Sequence, residues 1–174
     1  MTEIGSWVFN HCYNLTSVIL PDSIMIISKG LFNYCSNLQH IEIPKLVSSI
    51  EDGAFTGCSS LNSIVVRPEE PPIIVWHSFD NVNYQNAMLL VPKQSVQAYM
   101  AAPEWKRFNS IVGVCMDETA GDLNCDNEVN IADINILIDA ILTGEMDPLL
   151  DVNGDGELNV GDINEVISII LQPN

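Results

Sequence analysis

The chain is 174 residues long, 47% of them hydrophobic, and its 23 acidic residues against 6 basic ones give a formal net charge of −17. Such a surface argues against nucleic acid as a partner, because phosphates call for Lys and Arg to displace their counterions. No apolar run approaches the roughly 20 residues that span a bilayer, so no membrane crossing is predicted, and the length suits one moderate domain plus a small one.

The first 66 residues repeat with a period of 23. Ile4, Ile27 and Ile50 align, as do Phe9, Phe32 and Phe55; Cys12, Cys35 and Cys58; Leu15, Leu38 and Leu61; Val18, Ile41 and Ile64; Leu20, Ile43 and Val66. A repeat of this size with fixed Leu, Ile and Cys columns predicts a solenoid in which each turn covers its apolar side against the next. Ser17–Leu20 and His40–Ile43 alternate and are followed by Pro21 and Pro44, which predicts a short strand closed by a turn in each repeat. These strands should form a parallel sheet. Its outward positions, Ser17, Ile19, His40, Glu42, Ser63 and Val65, are the candidate ligand face. They share no chemistry, so no ligand class follows from them.

A degenerate fourth copy places Phe79 after Phe55, with Met88 and Leu90 as the equivalents of Ile64 and Val66 and Pro71-Pro72 as an irregular join. Residues 92–113 then form a closing segment with a helix, in which Val96, Tyr99, Trp105 and Phe108 offer an apolar face to the end of the stack. The repeat Ile-x-x-x-x-Phe-x-x-Cys-x-x-Leu-x-x-Ile-x-Ile-Pro resembles the BspA-like leucine-rich repeat, and the closing segment is similar to that of Bacteroidetes members of the family. The resemblance implies a location at the cell surface or outside the cell, and adhesion to a host or bacterial protein, or to a glycan. Met1 to Glu3 run straight into the first repeat without a signal peptide or a polar cap, so the chain is expected to be a fragment or a truncated reading frame. Its uncovered first repeat is expected to favour self-association.

The Cys12, Cys35 and Cys58 column reads as a small apolar slot of the repeat rather than a metal site. Cys115 and Cys125 flank the junction between the two parts and can pair in an oxidising compartment; spacing leaves both states open. His11, His40 and His77 stand at different offsets and face solvent in this reading. No phosphate loop, Gly-x-Ser-x-Gly elbow or His-Glu-x-x-His run occurs, and the chain is read as a non-enzyme.

Residues 117–174 hold 14 of the 23 acidic residues and no Lys or Arg. Two twelve-residue loops 29 residues apart, Asp122–Asp133 and Asp151–Asp162, hold eight of them. Asp122, Asn124, Asp126, Asn130 and Asp133 stand at positions 1, 3, 5, 9 and 12, with Glu128 supplying a backbone carbonyl at position 7; Asp151, Asn153, Asp155, Asn159, Asp162 and Glu157 repeat the set. Oxygen donors at this spacing predict two calcium sites, since a hard cation takes roughly six to eight oxygens from one tight turn. Position 6 favours a residue that tolerates positive φ, so Gly156 serves the second loop better than Asn127 serves the first. Each loop runs into a helix. Ile131, Ile134, Ile138 and Ile141, and then Val160, Ile163, Ile167 and Ile170, form the faces expected to pack together.

With Asp at position 12, a helix after each loop and none before, the duplicated unit resembles the type I dockerin domain. The resemblance implies a cohesin-like partner bound through loop positions 10 and 11, here Ile131, Ala132, Val160 and Gly161. These are small and apolar where hydroxyl-bearing residues are common in the family. The chain is thus read as an α/β leucine-rich-repeat solenoid over 1–116 followed by a small all-α duplicated half EF-hand over 117–174. The first part binds a ligand and the second attaches to a partner. In the alternative reading the calcium unit is structural, packed on the repeats, and docks nothing.

Overall fold

Alternating burial along each repeat produces two parallel sheets. The computed structural model describes residues 3–116, 119–144, 147 and 150–172. Strands β2 (His40–Ile43), β4 (Ser63–Val66), β6 (Met88–Pro92) and β7 (Ser110–Val114) form one sheet in that spatial order. The two-residue strands β1 (Ile26–Ile27), β3 (Ser49–Ile50) and β5 (Ile73–Ile74) form a second. All pairings are parallel; partners stand 23 positions apart in β1–β3 and β2–β4, as Ile26 with Ser49 and His40 with Ser63, but 24 apart in β3–β5, 25 in β4–β6 and 22 in β6–β7.

A ladder of phenylalanines from the turn segments runs along the stack of repeats. Phe9, Phe32, Phe55 and Phe79 stack with centroids 5.5, 5.4 and 5.1 Å apart. The buried thiols of Cys35 and Cys58 donate to the carbonyls of Phe9 and Phe32, one repeat back, at 3.0 and 3.1 Å. All three cysteines of this column are free. Ion pairs Lys29–Asp52, Lys45–Glu69 and Arg67–Glu42 join adjacent repeats on the surface.

Two strand assignments change. Ser17–Leu20 keeps the expected alternation, with Leu20 buried and Ile19 98% exposed, yet forms no strand. The backbone bond from Gln39 N to Thr16 O marks where this segment meets the next repeat. In the fourth repeat the register is shifted by one from the expected alignment. Ser63 pairs with Met88, Ile64 with Leu89 and Val65 with Leu90. Leu89 and Val91 are therefore the core residues and Met88 is exposed. An extra residue between Phe79 and the strand causes this, because a slip of one exchanges the two faces of a strand.

The closing segment contains α1 (Val96–Ala101), a 3-10 turn at Trp105–Arg107 and β7. Tyr99, Trp105 and Phe108 are buried and Val96 is half-buried. Phe108 meets Phe79 edge-on at 5.6 Å, ending the ladder with a perpendicular ring. The polar tips of the buried aromatics are satisfied across the irregular join: Tyr99 Oη donates to Pro68 O at 2.7 Å and Trp105 Nε1 to Pro72 O at 2.8 Å. Strand β7, which adds to β6, was not anticipated.

The chain divides into two units, Met1–Val114 and Cys115–Asn174, two residues ahead of the composition change at 116/117. In the second unit α2 (Ile131–Thr143) and α3 (Val160–Ile170) pack over a small core of Leu137, Ala140, Leu150 and Val166. Leu123, Val129, Ile134, Val152, Leu158 and Ile163 flank it. Among the described residues no helix is long and apolar enough to cross a membrane.

Candidate functional site

The two acidic loops are folded alike. Asn130 and Asn159 precede α2 and α3 in extended conformation, and their side-chain oxygens accept from Ala132 N at 2.8 Å and Gly161 N at 2.6 Å. Asp133 and Asp162 complete a capping box by accepting from Asn130 N and Asn159 N at 2.9 and 2.8 Å. A negative side chain in the first turn is also favoured by the helix dipole.

Both carboxylates are fully buried and reach back into the loop: Asp133 Oδ1 accepts from Leu123 N and Asn124 N at 2.8 and 3.1 Å, and Asp162 Oδ1 from Asn153 N at 3.3 Å. At the other end, Asp122 accepts from Asp126 N and Asn127 N, while Asp151 accepts from Gly154 N, Asp155 N and Gly156 N. Positions 3 and 5 close on each other. The Asn124 amide donates to Asp126 Oδ2 at 2.7 Å, and Asn153 to Asp155 Oδ2 at 3.1 Å. Glu128 and Glu157 are exposed, and their backbone N–H groups donate to the position-5 carboxylates.

The residues at positions 4 and 6 have positive φ in both loops, Cys125 and Asn127 at 65° and 69°, Gly154 and Gly156 at 73° and 86°. Position 6 was anticipated; position 4 was not. Cys125 is buried and disulfide-bonded to Cys115.

Asp133 also decides which way α2 faces. Turning its carboxylate into the loop carries the residues four and seven places on, Leu137 and Ala140, to the inside. Asp162 does the same for Val166. The isoleucine faces expected to form the core are thereby split. Ile134 and Ile163 pack at its edge, Ile141 is half-buried, and Ile131, Ile138, Val160, Ile167 and Ile170 are exposed. Ile131 is 71% and Val160 61% exposed, Ala132 and Gly161 are half-buried beside them, and Leu142 and Leu171 extend the two apolar stripes.

On the first unit, Ser17, Ile19, His40 and Glu42 line one concavity of about 270 Å3 together with Asp22 and Pro44. His40 is half-buried rather than free in solvent, with Nδ1 3.2 Å from Ser63 Oγ. Val65 stands opposite Glu42 in the sheet, and Arg67 pairs with Glu42. Sequence patterning missed Asp22 and Arg67, which lie just beyond the strand segments. The hollow is at the small end of ligand pockets.

Comparison with known families agrees with this architecture. The model of the BspA type leucine rich repeat region matches residues 1–99 in six copies. The chain belongs to that family. The dockerin type I domain model matches residues 120–171, so the second unit is a dockerin domain. No curated protein matches the chain. Both families are binding modules typical of extracellular and surface proteins, and type I dockerins typically bind calcium.

Among the described residues no three carboxylate, His or Cys groups gather round one point. The donor set nevertheless fits calcium, being all oxygen and drawn from carboxylates, amides and carbonyls of a single turn. The fit is tight at Gly161, where a Cβ would lie 2.8 Å from Asn153 Nδ2 and 3.0 Å from Asn159 Oδ1.

Proposed function

We propose that this protein is a non-catalytic surface or extracellular binding protein. Its repeats hold a protein ligand on the face formed by Ser17, Ile19, His40 and Glu42, with Ser63 and Val65 beside them. Its dockerin unit, a duplicated half EF-hand, attaches it to a cohesin-like partner through Ile131, Ala132, Val160 and Gly161. The ligands for two calcium ions are Asp122, Asn124, Asp126, Asn130 and Asp133 with the Glu128 carbonyl, and Asp151, Asn153, Asp155, Asn159 and Asp162 with the Glu157 carbonyl. Bound calcium would supply positive charge to a segment with 14 acidic residues and no basic one. The residues themselves do the rest: Asp133 and Asp162 tie loop to helix, so ordering of the loop and presentation of the helix are one event.

The observation that carries the attachment reading is the exposure of Ile131 and Val160 at equivalent places in the two copies. The outward stripes continue through Ile138 and Leu142 and through Ile167 and Leu171. A helix that served only its own domain would turn such residues inward. Their apolar character calls for a partner with a matching apolar patch, not one that reads hydroxyl groups.

The test is surface plasmon resonance against a panel of cohesin domains, in calcium and in EDTA, with Ile131→Asp/Val160→Asp as the control variant. Calcium-dependent binding that the double variant loses supports docking. If no cohesin binds and the double variant is less stable than the native chain, the structural alternative is favoured.

A further inference from the structure

The two loops use different means to hold the same backbone. In the second, the left-handed residues at positions 4 and 6 are Gly154 and Gly156, and a Cβ at either would meet nothing within 4 Å. Their φ values of 73° and 86° therefore need glycine only for its backbone freedom. In the first loop the same positions hold Cys125 and Asn127, at 65° and 69°. Asn enters this region with modest strain, but Cys has no such aptitude. For a cysteine the intrinsic preference is negative φ, which would change the direction of the amide that follows it.

Cys125 is not left alone. It is 6% exposed and bonded to Cys115, ten residues earlier. Its neighbours Asn124 and Asp126 are positions 3 and 5. The bond closes a short ring around Asp122, at position 1, whose carboxylate accepts from Asp126 N and Asn127 N. The peptide planes that carry those two amides follow Cys125, so its conformation sets their direction toward Asp122.

We propose that the Cys115–Cys125 disulfide is the positioning element of the first calcium loop, holding position 4 left-handed where the second loop relies on glycine. The inference rests on the calcium reading above. It also makes full calcium loading depend on oxidation, which couples the module to an oxidising compartment where such bonds persist. Cys125 is a positioning residue here and gives no ligand to the cation, since a hard cation does not favour sulfur.

The test is calorimetric calcium titration of the metal-stripped full chain, comparing the native protein with Cys115→Ala and with Cys115→Ala/Cys125→Gly. The native chain should show two binding events. Cys115→Ala should weaken one of them by about tenfold, equivalent to about 1.4 kcal/mol, and leave the other unchanged. In nuclear magnetic resonance spectra the amides of Gly154 and Gly156 should titrate as in the native chain, which assigns the loss to the first loop. The double variant, with glycine at position 4 and no disulfide, should recover most of the loss.

Reduction of the native chain by a phosphine provides the same comparison without substitution. Two electrons and two protons convert the disulfide to two thiols, and the phosphine takes an oxygen from water to become its oxide. Native affinity at both sites in Cys115→Ala or in the reduced chain overturns the inference, as does a double variant no better than the single one. A native chain that binds no calcium at all overturns the calcium reading itself, a distinct result.

Discussion

Phe55→Ala should show how far the repeats depend on the aromatic ladder. Phe55 is fully buried, with rings of Phe32 and Phe79 at 5.4 and 5.1 Å on its two sides. Truncating a buried Phe costs about 3–5 kcal/mol through lost transfer energy and the cavity left behind. Two stacked neighbours place this site at the upper end, each pair being worth about 0.5–1.5 kcal/mol beyond area. Phe9 provides the internal comparison. It is half-buried and stacks on Phe32 alone, so Phe9→Ala should cost about 1–2 kcal/mol. All three tryptophans, Trp7, Trp76 and Trp105, lie in the first unit, so urea titration followed by tryptophan fluorescence reports that unit alone. The m-value should stay constant while the midpoint falls, by at least twice as much for Phe55→Ala as for Phe9→Ala. Equal losses at the two positions would mean that the ladder is not a cooperative element and that each repeat stands on its own contacts.

Asp162→Ala removes the carboxylate that joins Asn153 N to Asn159 N, so α3 should lose order in calcium, seen as a fall in far-ultraviolet ellipticity and loss of one binding event. Unchanged affinity would count against the second site. Asn127→Gly relieves positive φ at position 6 and should tighten the first site several-fold in a calcium titration, with weaker binding refuting that account of position 6. Alkaline pH should destabilise the first unit. Burial pushes the Cys35 thiol up to about 11 and that of Cys58 up to about 12, from an ordinary 9.0. A pKa raised on folding means that the folded state holds its proton more tightly, so the stabilisation is complete below about pH 9 and is lost as pH rises through the folded values. Urea midpoints measured across that range should fall less steeply for Cys35→Ala/Cys58→Ala than for the native chain.

The solenoid was legible because its signal is a column, repeated at fixed spacing, and each column has one physical role. The fourth repeat shows where this fails: one added residue between Phe79 and β6 exchanged Met88 for Leu89 in the core, and patterning has no means of counting a bulged residue in a single degenerate copy. The loops were legible from position-specific oxygens. The helix faces were not, because Ile131, Ile138, Leu137 and Ala140 all fit a helical period, and only the demand of Asp133 for loop amides selects between the two faces. Left-handed backbone at Cys125 was hidden as well. The matching Gly154 in the second copy was the available signal, since a glycine aligned with a non-glycine marks a place where one copy needs another source of constraint.

That asymmetry bears on how the second unit stays folded. Among the described residues its core cluster is Leu137, Ala140, Leu150 and Val166, of which Ala140 contributes little, and isoleucines that would enlarge it are turned outward. Small domains commonly use disulfides or metals to offset the ordering of the chain. The chain carries a disulfide at the first loop, and the calcium reading adds the second device at the same place. The disulfide fixes the entry to the first loop, and the buried Asp133 and Asp162 gather backbone amides that would otherwise be unpaired at the helix starts. Exposure of Ile131 and Val160 forgoes burial that both could contribute to folding. In the attachment reading, structure and docking are coupled: the residues withheld from the core are the ones offered to the partner.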